Sequence, residues 1–316
     1  MHIYLISPSG AVRDKAALRL GVKRLKQLGH DVELDPDALS TEQRFAGDDD
    51  ARVLAVSRAA ASGADLVMLS RGGYGLTRIL KRLPYKAIAA SIKSGTHWVG
   101  HSDFTALQMG LLAKTGASSW AGPHACADFG AKTMDDITLA CFDDMAQGRG
   151  EGAGWKLPAS DLDHLPKKAL LAEHATLWGG NLSVLCSLVG TPYLPSVQGG
   201  VLFLEDVAEH PYRIERMLTQ LLHAGVLAQQ KAIVLGAFTD YKLTPHDKGF
   251  KLQTVVDWLR TQVKTPVLTG LPFGHVPTKL CLPVGKPVTL LREGREAFLL
   301  WAHPEHWHNH DHDHGH

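Results

Sequence analysis

The strongest constraint on the fold is an alternation of short apolar runs with segments of helical periodicity over the first 115 residues. The apolar runs are residues 3–6, 32–34, 65–69 and 98–100, and the helical segments include residues 48–62 and 104–114. Strands that alternate with helices predict a parallel sheet that is covered by helices on both faces. Ligands of such sheets bind beyond the carboxyl ends of the strands. We therefore expect functional side chains in the loops that follow residues 69 and 100.

The second half of the chain predicts a different architecture. A glycine-rich segment around residues 147–164 is typical of a linker. We predict an N-terminal α/β domain at 1–147, a linker at 148–166 and a smaller mixed α+β domain at 167–302. The elements predicted in that domain are strands at 169–172, 200–204, 232–235, 288–291 and 297–301 and helices at 181–188, 211–224 and 252–263.

Composition excludes several classes of partner. A formal net charge of +1 gives no electrostatic basis for binding nucleic acid or an anionic membrane surface.

The N-terminus lacks the basic region and the apolar core of a secretory signal, and no stretch approaches the roughly 18 apolar residues of a membrane span. The four cysteines lie far apart and predict neither a disulfide scaffold nor a zinc site. We expect a cytoplasmic protein that acts on small molecules or on other proteins.

A candidate nucleophile lies in the segment Gly100-His101-Ser102-Asp103. A serine between a strand and a helix is raised above the sheet edge, and the amides of the helix N-terminus beside it can receive a developing oxyanion. The pattern Gly-x-Ser-x-Gly is incomplete, because Phe104 replaces the second glycine. An ordinary helix cap by Ser102 or Asp103 is the alternative interpretation.

A serine nucleophile needs a base and a carboxylate that orients it. His275 lies in a loop bounded by glycine and proline, from which functional side chains are often presented. Glu205 ends an apolar strand, where a carboxylate is unusual unless it is paired. The alternatives are a surface histidine and, for Glu205, an acid that favours the dipole of the following helix, as Asp206 and Glu209 would.

Two glycine loops precede predicted helices. The segment Arg71-Gly72-Gly73-Tyr74-Gly75 lets the backbone approach a ligand and lends amide donors. The segment matches neither the glycine-rich fingerprint of dinucleotide-binding folds nor the phosphate-binding loop of nucleotide hydrolases. A plain glycine turn is therefore the alternative interpretation. In Trp178-Gly179-Gly180-Asn181, Trp178 could form the apolar wall of a pocket, whereas Asn181 could simply cap the helix.

Taken in this order, these segments resemble the LD-carboxypeptidases, a family of serine peptidases that includes the microcin-immunity peptidases. The matching stretches are Arg71 to Gly75, Gly100 to Asp103, Trp178 to Leu182, Leu204-Glu205-Asp206 with Tyr212 to Leu218, and Gly274-His275 with Pro283-Val284-Gly285. The resemblance extends from Ile3 to about Trp301.

The resemblance implies a triad of Ser102, Glu205 and His275, with the backbone amides of Gly73 and Asp103 as candidate oxyanion donors. It implies a flavodoxin- or amidotransferase-like first domain. The implied reaction is the cofactor-free release of a C-terminal D-amino acid, typically D-alanine of the murein tetrapeptide in peptidoglycan recycling. A homodimer is expected as in relatives. The candidate substrate-binding residues are Arg71, Gly72, Tyr74, Trp178 and Asn181. Arg71 is expected either to bind the substrate carboxylate or to brace its own loop.

Three points stay open at this level. The substrate could instead be a toxic microcin-like conjugate, or the cleft could belong to a non-catalytic peptide-binding protein. The segment 303–316 is rich in histidine and can chelate zinc, nickel or copper, with a disordered, solvated tail as the alternative. The residues expected to take part in adventitious metal binding are His306, His308, His310, His312 and His314. No catalytic metal is expected.

Overall fold

Two sheets organise the chain in the computed structural model, which describes residues 1–301. The strands are β1 (His2–Ile6), β2 (Asp31–Leu34), β3 (Leu66–Leu69), β4 (His97–Gly100), β5 (Ser119–Ala121), β6 (Gly152–Lys156), β7 (Lys168–Asn181), β8 (Val201–Val207), β9 (Ala232–Thr239), β10 (Val267–Leu268), β11 (Leu282–Val284), β12 (Pro287–Glu293) and β13 (Glu296–Leu300). The prediction of a metal-binding tail at 303–316 lies outside the described residues.

Helices connect the strands and cover the sheets. They are α1 (Lys15–Gln27), α2 (Asp49–Ala61), α3 (Leu76–Ile79), α4 (Tyr85–Lys93), α5 (Phe104–Thr115), α6 (Asp136–Ala146), α7 (Ala159–Leu162), α8 (Leu182–Ser187), α9 (Pro211–His223) and α10 (Leu252–Gln262). A π-helical turn spans Ala125–Phe129. No helix among residues 1–301 is long and apolar enough to cross a membrane.

The first sheet has the strand order β11-β5-β4-β3-β1-β2. Neighbours from β2 to β5 are parallel, and only β11 is antiparallel to its partner. Alternate residues of a strand face opposite sides of the sheet, and β1 shows this division. Ile3 and Leu5 pack in one hydrophobic cluster, whereas Tyr4 and Ile6 pack in the other. The predicted parallel sheet with two covered faces is therefore confirmed.

The second sheet has the strand order β10-β9-β8-β7-β12-β13-β6. Its strands β7 to β10 are parallel, while β12, β13 and β6 form an antiparallel extension. This mixture agrees with the predicted fold class. Because β7 pairs with β8 through its carboxyl half, Asn181 lies beside Glu205 at the end of two parallel strands.

Several elements differ from the sequence expectations. Strand β7 runs for 14 residues, so Trp178 to Asn181 lies within a strand rather than in a turn. Strand β6 lies inside the predicted linker and pairs with β13, and β11 returns from the second half to the first sheet. These pairings join residues far apart in the chain, which local composition does not reveal. The domain limits at 147 and 166 stay a prediction.

Candidate active site

Ser102 lies in the tight turn between β4 and α5. Its backbone φ is +62°, a left-handed conformation that a side-chain-bearing residue adopts only at an energetic cost. The side chain of Asp103 does not cap α5, so the alternative of an ordinary helix cap does not describe this turn. Gly72 closes over the turn, because a Cβ atom built on it would lie 2.7 Å from the Ser102 Cβ. Strain held at a partly buried serine between a strand and a helix is the arrangement of a nucleophile turn.

The structure brings Ser102, His275 and Glu205 together. His275 lies in the loop between β10 and β11, and its Nε2 is 3.1 Å from the Ser102 Oγ. Its Nδ1 is 2.8 Å from Oε2 of Glu205, which is fully buried in β8. An Nδ1–H that donates to the carboxylate leaves Nε2 free to accept the serine proton. The arrangement can therefore activate a hydroxyl nucleophile.

Burial and the Glu205 carboxylate act in opposite directions on the pKa of His275. Desolvation lowers the pKa of His275, but the hydrogen bond and the charge of Glu205 outweigh it and hold this pKa above its ordinary value. The neighbouring His101 and His124 stack with their ring centroids 3.8 Å apart. Burial keeps the pKa of both far below the ordinary histidine value. They are thus neutral at physiological pH, and they add no competing positive charge near His275.

The two candidate oxyanion donors flank Ser102. Among residues 1–301, the amides of Gly73 and Asp103 make no backbone hydrogen bond outside the regular elements, and both residues line the same cavity as Ser102. The Asp103 carboxylate accepts hydrogen bonds from Ser9 Oγ at 2.7 Å and from the Leu76 amide at 2.8 Å. Burial raises the pKa of Asp103 to about 6. This side chain therefore fixes the turn that carries both Ser102 and the Asp103 amide.

Asn181 has two tasks at the end of β7. Its Oδ1 accepts a hydrogen bond from the Val184 amide, so it does cap α8. Its Nδ2 lies 3.2 Å from Oε1 of Glu205 and 2.9 Å from Oδ1 of Asp206. Asn181 thus caps the helix, contacts the buried carboxylate that faces His275, and lines the cavity beside Ser102.

Of the other predicted binding residues, Tyr74 lines the cavity beside Ser102, whereas Trp178 and Arg71 are not part of the described cavity lining. Tyr74 is half exposed and lines the cavity of about 290 Å³ beside Ser102. Trp178 is buried, and its Nε1 donates to Gln230 Oε1 at 2.9 Å, so it packs in the core away from the described cavity lining. The Arg71 Nη1 donates to the Ala11 carbonyl at 2.8 Å. This contact braces the loop that carries Gly72.

Two side chains at the site were not assigned to it from the sequence. Asp206 was read as an acid at the start of α9, but its Oδ2 accepts from the Ser183 amide at the start of α8. Burial raises its pKa to about 6. Thr105 on α5 accepts a hydrogen bond from the Asn181 amide through Oγ1 at 3.0 Å. Gly180 permits this approach, because a Cβ on it would lie 2.5 Å from the same oxygen.

No group of three histidine, cysteine or acidic side chains in the described range is arranged to hold a metal ion. The described site consists of a hydroxyl, an imidazole, a carboxylate and backbone amides. These groups are sufficient for acyl transfer through a serine ester.

Comparisons with known proteins show which family and which solved structures this chain is similar to. The model of the LD-carboxypeptidase N-terminal domain matches residues 3–122, and that of the LD-carboxypeptidase C-terminal domain matches residues 174–290. A probable murein peptide carboxypeptidase of Bacillus subtilis is 30% identical over 83% of this chain and 80% of its own length. The crystal structure of muramoyltetrapeptide carboxypeptidase from Oxalobacter formigenes superposes with a TM-score of 0.84 at 38% identity, over 96% of this chain and 100% of that one.

A relative that is named for a different function is also similar to this chain. The microcin C7 self-immunity protein of Escherichia coli is 29% identical over 69% of both chains.

Proposed function

The chain belongs to the LD-carboxypeptidase family, and on this premise we propose that it cleaves the amide bond between an L-centre and a C-terminal D-amino acid. The observation that carries the proposal is the hydrogen-bonded sequence from Ser102 Oγ through His275 to Glu205. These three residues are the proposed catalytic residues. The chemistry is acyl transfer through a serine ester.

The residues divide the reaction between them. Ser102 Oγ attacks the scissile carbonyl carbon while His275 Nε2 accepts the hydroxyl proton. The C–N bond then breaks, and His275 returns this proton to the departing amine. Water repeats the sequence on the Ser102 ester and frees the shortened peptide. Glu205 holds the imidazole in the required tautomer and stabilises the imidazolium formed in each step.

The amides of Gly73 and Asp103 stabilise the charge that develops on the carbonyl oxygen. Each donor of this kind typically contributes about 3–4 kcal/mol in the transition state. The proposal is supported by the position of both residues on the wall of the Ser102 cavity. It also gives a task to the strained turn, which aims the hydroxyl and the neighbouring amide at one point.

The proposed substrate is a murein tetrapeptide that ends in D-alanine. This choice is supported by the names of the relatives from Bacillus subtilis and Oxalobacter formigenes. With this substrate we also propose a cytoplasmic location, where peptides from recycled peptidoglycan would reach the protein. We further propose that the protein acts as a homodimer. Sedimentation of the purified protein tests the dimer, and fractionation of cells tests the location.

The substrate carboxylate is proposed to face the side of the loop that Arg71 occupies. Arg71 forms no ion pair with a carboxylate among residues 1–301. Desolvation lowers its pKa, and the positive charges of Arg13 and Arg44 lower it further. Replacing the exposed Arg44 by Met should raise KM for a free-acid peptide and leave KM unchanged for the matching peptide amide. Equal effects on both peptides would contradict this placement.

Release of D-alanine tests the function directly. The purified protein is incubated with chelator and L-Ala-γ-D-Glu-meso-diaminopimelate-D-Ala, beside Ser102→Ala. Release by the wild type that is abolished in Ser102→Ala is the expected result. A folded wild-type protein that releases none would contradict the proposal. A binding protein would instead keep its function in Ser102→Ala, which calorimetric titration with the same peptide would reveal.

A microcin-like conjugate is the second candidate substrate, and the similarity to the Escherichia coli self-immunity protein favours including it. An aminoacyl sulfamoyl nucleoside offered in competition with the tetrapeptide separates the two candidates. The tetrapeptide is expected to have the higher kcat/KM. A higher kcat/KM for the conjugate would make the conjugate the first candidate substrate and the tetrapeptide the second.

A further inference from the structure

A buried ion pair lies behind the proposed base. Lys279 Nζ is 2.7 Å from Asp128 Oδ1, and each side chain is only 3% exposed. Lys279 follows His275 by four residues in the same loop and also donates to the Val276 carbonyl. Asp128 belongs to the π-helical turn Ala125–Phe129 in the first half of the chain. The pair therefore attaches the His275 loop to a different part of the molecule.

The ion pair continues through hydrogen bonds to the nucleophile turn. The second carboxylate oxygen of Asp128 accepts from the His124 amide at 2.7 Å. His124 Nε2 in turn accepts from the His101 amide at 3.1 Å, and His101 directly precedes Ser102. One connected network thus reaches the backbone on both sides of the contact between Ser102 and His275.

The loop after His275 is also held by helix α6. The Thr138 hydroxyl accepts from the Lys279 amide at 2.7 Å and donates to the Pro277 carbonyl at 2.9 Å. Thr278 donates to an Asp135 carboxylate oxygen at 2.8 Å. These contacts explain how the loop lies on the first half of the chain, but they involve no buried charge.

Stability is a poor explanation for the ion pair. Removing two charges from water costs free energy that their attraction often fails to return, and apolar replacements of such pairs are frequently neutral or stabilising. A pair that links the loops of a base and its nucleophile has a different use. Serine attack requires the reacting atoms to be aligned, and a misplacement of 1 Å can reduce a rate about 100-fold.

We propose that the Lys279–Asp128 ion pair is a positioning device that sets the distance and alignment between His275 and Ser102. The inference rests on the proposed catalytic roles of those two residues. Lys279 and Asp128 are positioning residues, because neither side chain hydrogen-bonds to Ser102 or to the His275 ring in the described structure. Their effect is therefore expected in kcat rather than in KM.

The decisive variant replaces both charges, as Lys279→Met with Asp128→Asn. The asparagine carbonyl can still accept from the His124 amide, and no unpaired charge is left in the interior, so this protein should fold. Its kcat is expected to fall about 100-fold with little change in KM, in proportion to the lost alignment. The single Lys279→Met variant leaves Asp128 unpaired and should lose stability as well.

Reactivity of Ser102 gives a second measurement that needs no identified substrate. A fluorophosphonate forms an Oγ–P bond with Ser102 and loses fluoride, while His275 accepts the hydroxyl proton. Its rate of inactivation should fall in the double variant in parallel with kcat. Mass spectrometry of the intact protein measures this rate.

The chain offers a matched control in Asp161 and Arg260. Arg260 Nη2 also lies 2.7 Å from Asp161 Oδ1, both side chains are buried, and Asp161 likewise accepts from a backbone amide, that of Thr269. This pair reaches the loop of His275 only at its first residue, Thr269, six residues before His275, and among the described residues it has no hydrogen bond to the turn of Ser102. Arg260→Met with Asp161→Asn should therefore leave kcat and the fluorophosphonate rate within about twofold of wild type, as expected for sites without shared partners.

The outcomes separate the inference from the proposed function. A folded Lys279→Met/Asp128→Asn protein that keeps wild-type kcat and wild-type labelling overturns the positioning role and leaves the catalytic roles intact. Equal losses in the control pair overturn it too, since they would reflect a general effect of removing buried charge. A wild-type protein that neither releases D-alanine nor reacts at Ser102 would overturn the proposed function, and the inference with it.

Discussion

The two halves of the site are built in different ways. The backbone conformation of Ser102 is set within a few residues of chain, by the turn between β4 and α5 and its φ of +62°. The base is assembled over a distance, because Glu205 on β8 and His275 are 70 residues apart in sequence and meet at 2.8 Å. Local backbone strain thus sets the nucleophile, whereas tertiary packing sets the base. Substitutions in the two halves should consequently fail in different ways.

The largest effect is expected from Glu205→Gln on the packed side. The amide can no longer hold His275 in the tautomer that accepts the serine proton, and loss of the corresponding carboxylate in serine proteases reduces kcat about 10⁴-fold. Steady-state kinetics and the circular dichroism spectrum measure activity and folding. Glu209→Gln, on a partly exposed acid of the following loop, is the control and should retain activity. If Glu205→Gln kept an activity comparable to that of the wild type, the contact with Glu205 would not be what makes His275 an effective base.

The next effect is expected from Gly72→Ala, in the loop that packs against the nucleophile turn. The added methyl group would lie 2.7 Å from the Ser102 Cβ, so the turn must shift, and a displacement near 1 Å costs about 100-fold in rate. Gly150→Ala is the matched control, because its nearest neighbour atoms are 3.7 Å from the new Cβ. The kcat of both variants is compared at a temperature where both are folded. Unchanged kcat in Gly72→Ala would mean that the nucleophile tolerates displacement.

The pH profile sharpens the comparison further. His275 acts as a base only when neutral, and its raised pKa predicts that kcat/KM increases with pH through a midpoint above the ordinary histidine value. Below the midpoint the rate should fall about tenfold per pH unit. In Glu205→Gln the cause of the upward shift is removed while desolvation remains, so the midpoint should move to lower pH. Titration of His275 by NMR measures both values, and an unchanged midpoint would contradict the assigned cause.

The smallest effect is expected where the two halves meet, in Thr105→Val. The isosteric change leaves the buried Asn181 amide without its acceptor, which should cost about 1–3 kcal/mol of the free energy of unfolding. Activity should fall less than in Gly72→Ala, since Glu205 keeps its own contacts. Denaturant unfolding measures the loss. Thr219→Val is the control, because that hydroxyl only donates to a carbonyl of its own helix; an equal loss there would remove the special role of Thr105.

The same contrast explains which expectations held. The alternation of strands and helices is a local property, and the parallel first sheet follows from it. Trp178 was placed at a pocket because its segment resembled a turn, yet β7 continues through it by pairing with β8. Asp206 was read only as an acid before α9, and its partner amide on Ser183 lies 23 residues earlier in the chain. Partners that are remote in sequence leave no local pattern.

The sequence by itself determined the fold class, the family and the segments from which a nucleophile, a base and an acid would come. Periodicity and short motifs encode these features because they depend on neighbouring residues. Only the tertiary structure decided that His275 lies between Ser102 and Glu205, that Arg71 donates to the Ala11 carbonyl and that Lys279 is paired with Asp128. Those contacts depend on how two sheets pack against each other, and packing is fixed by many distant residues at once.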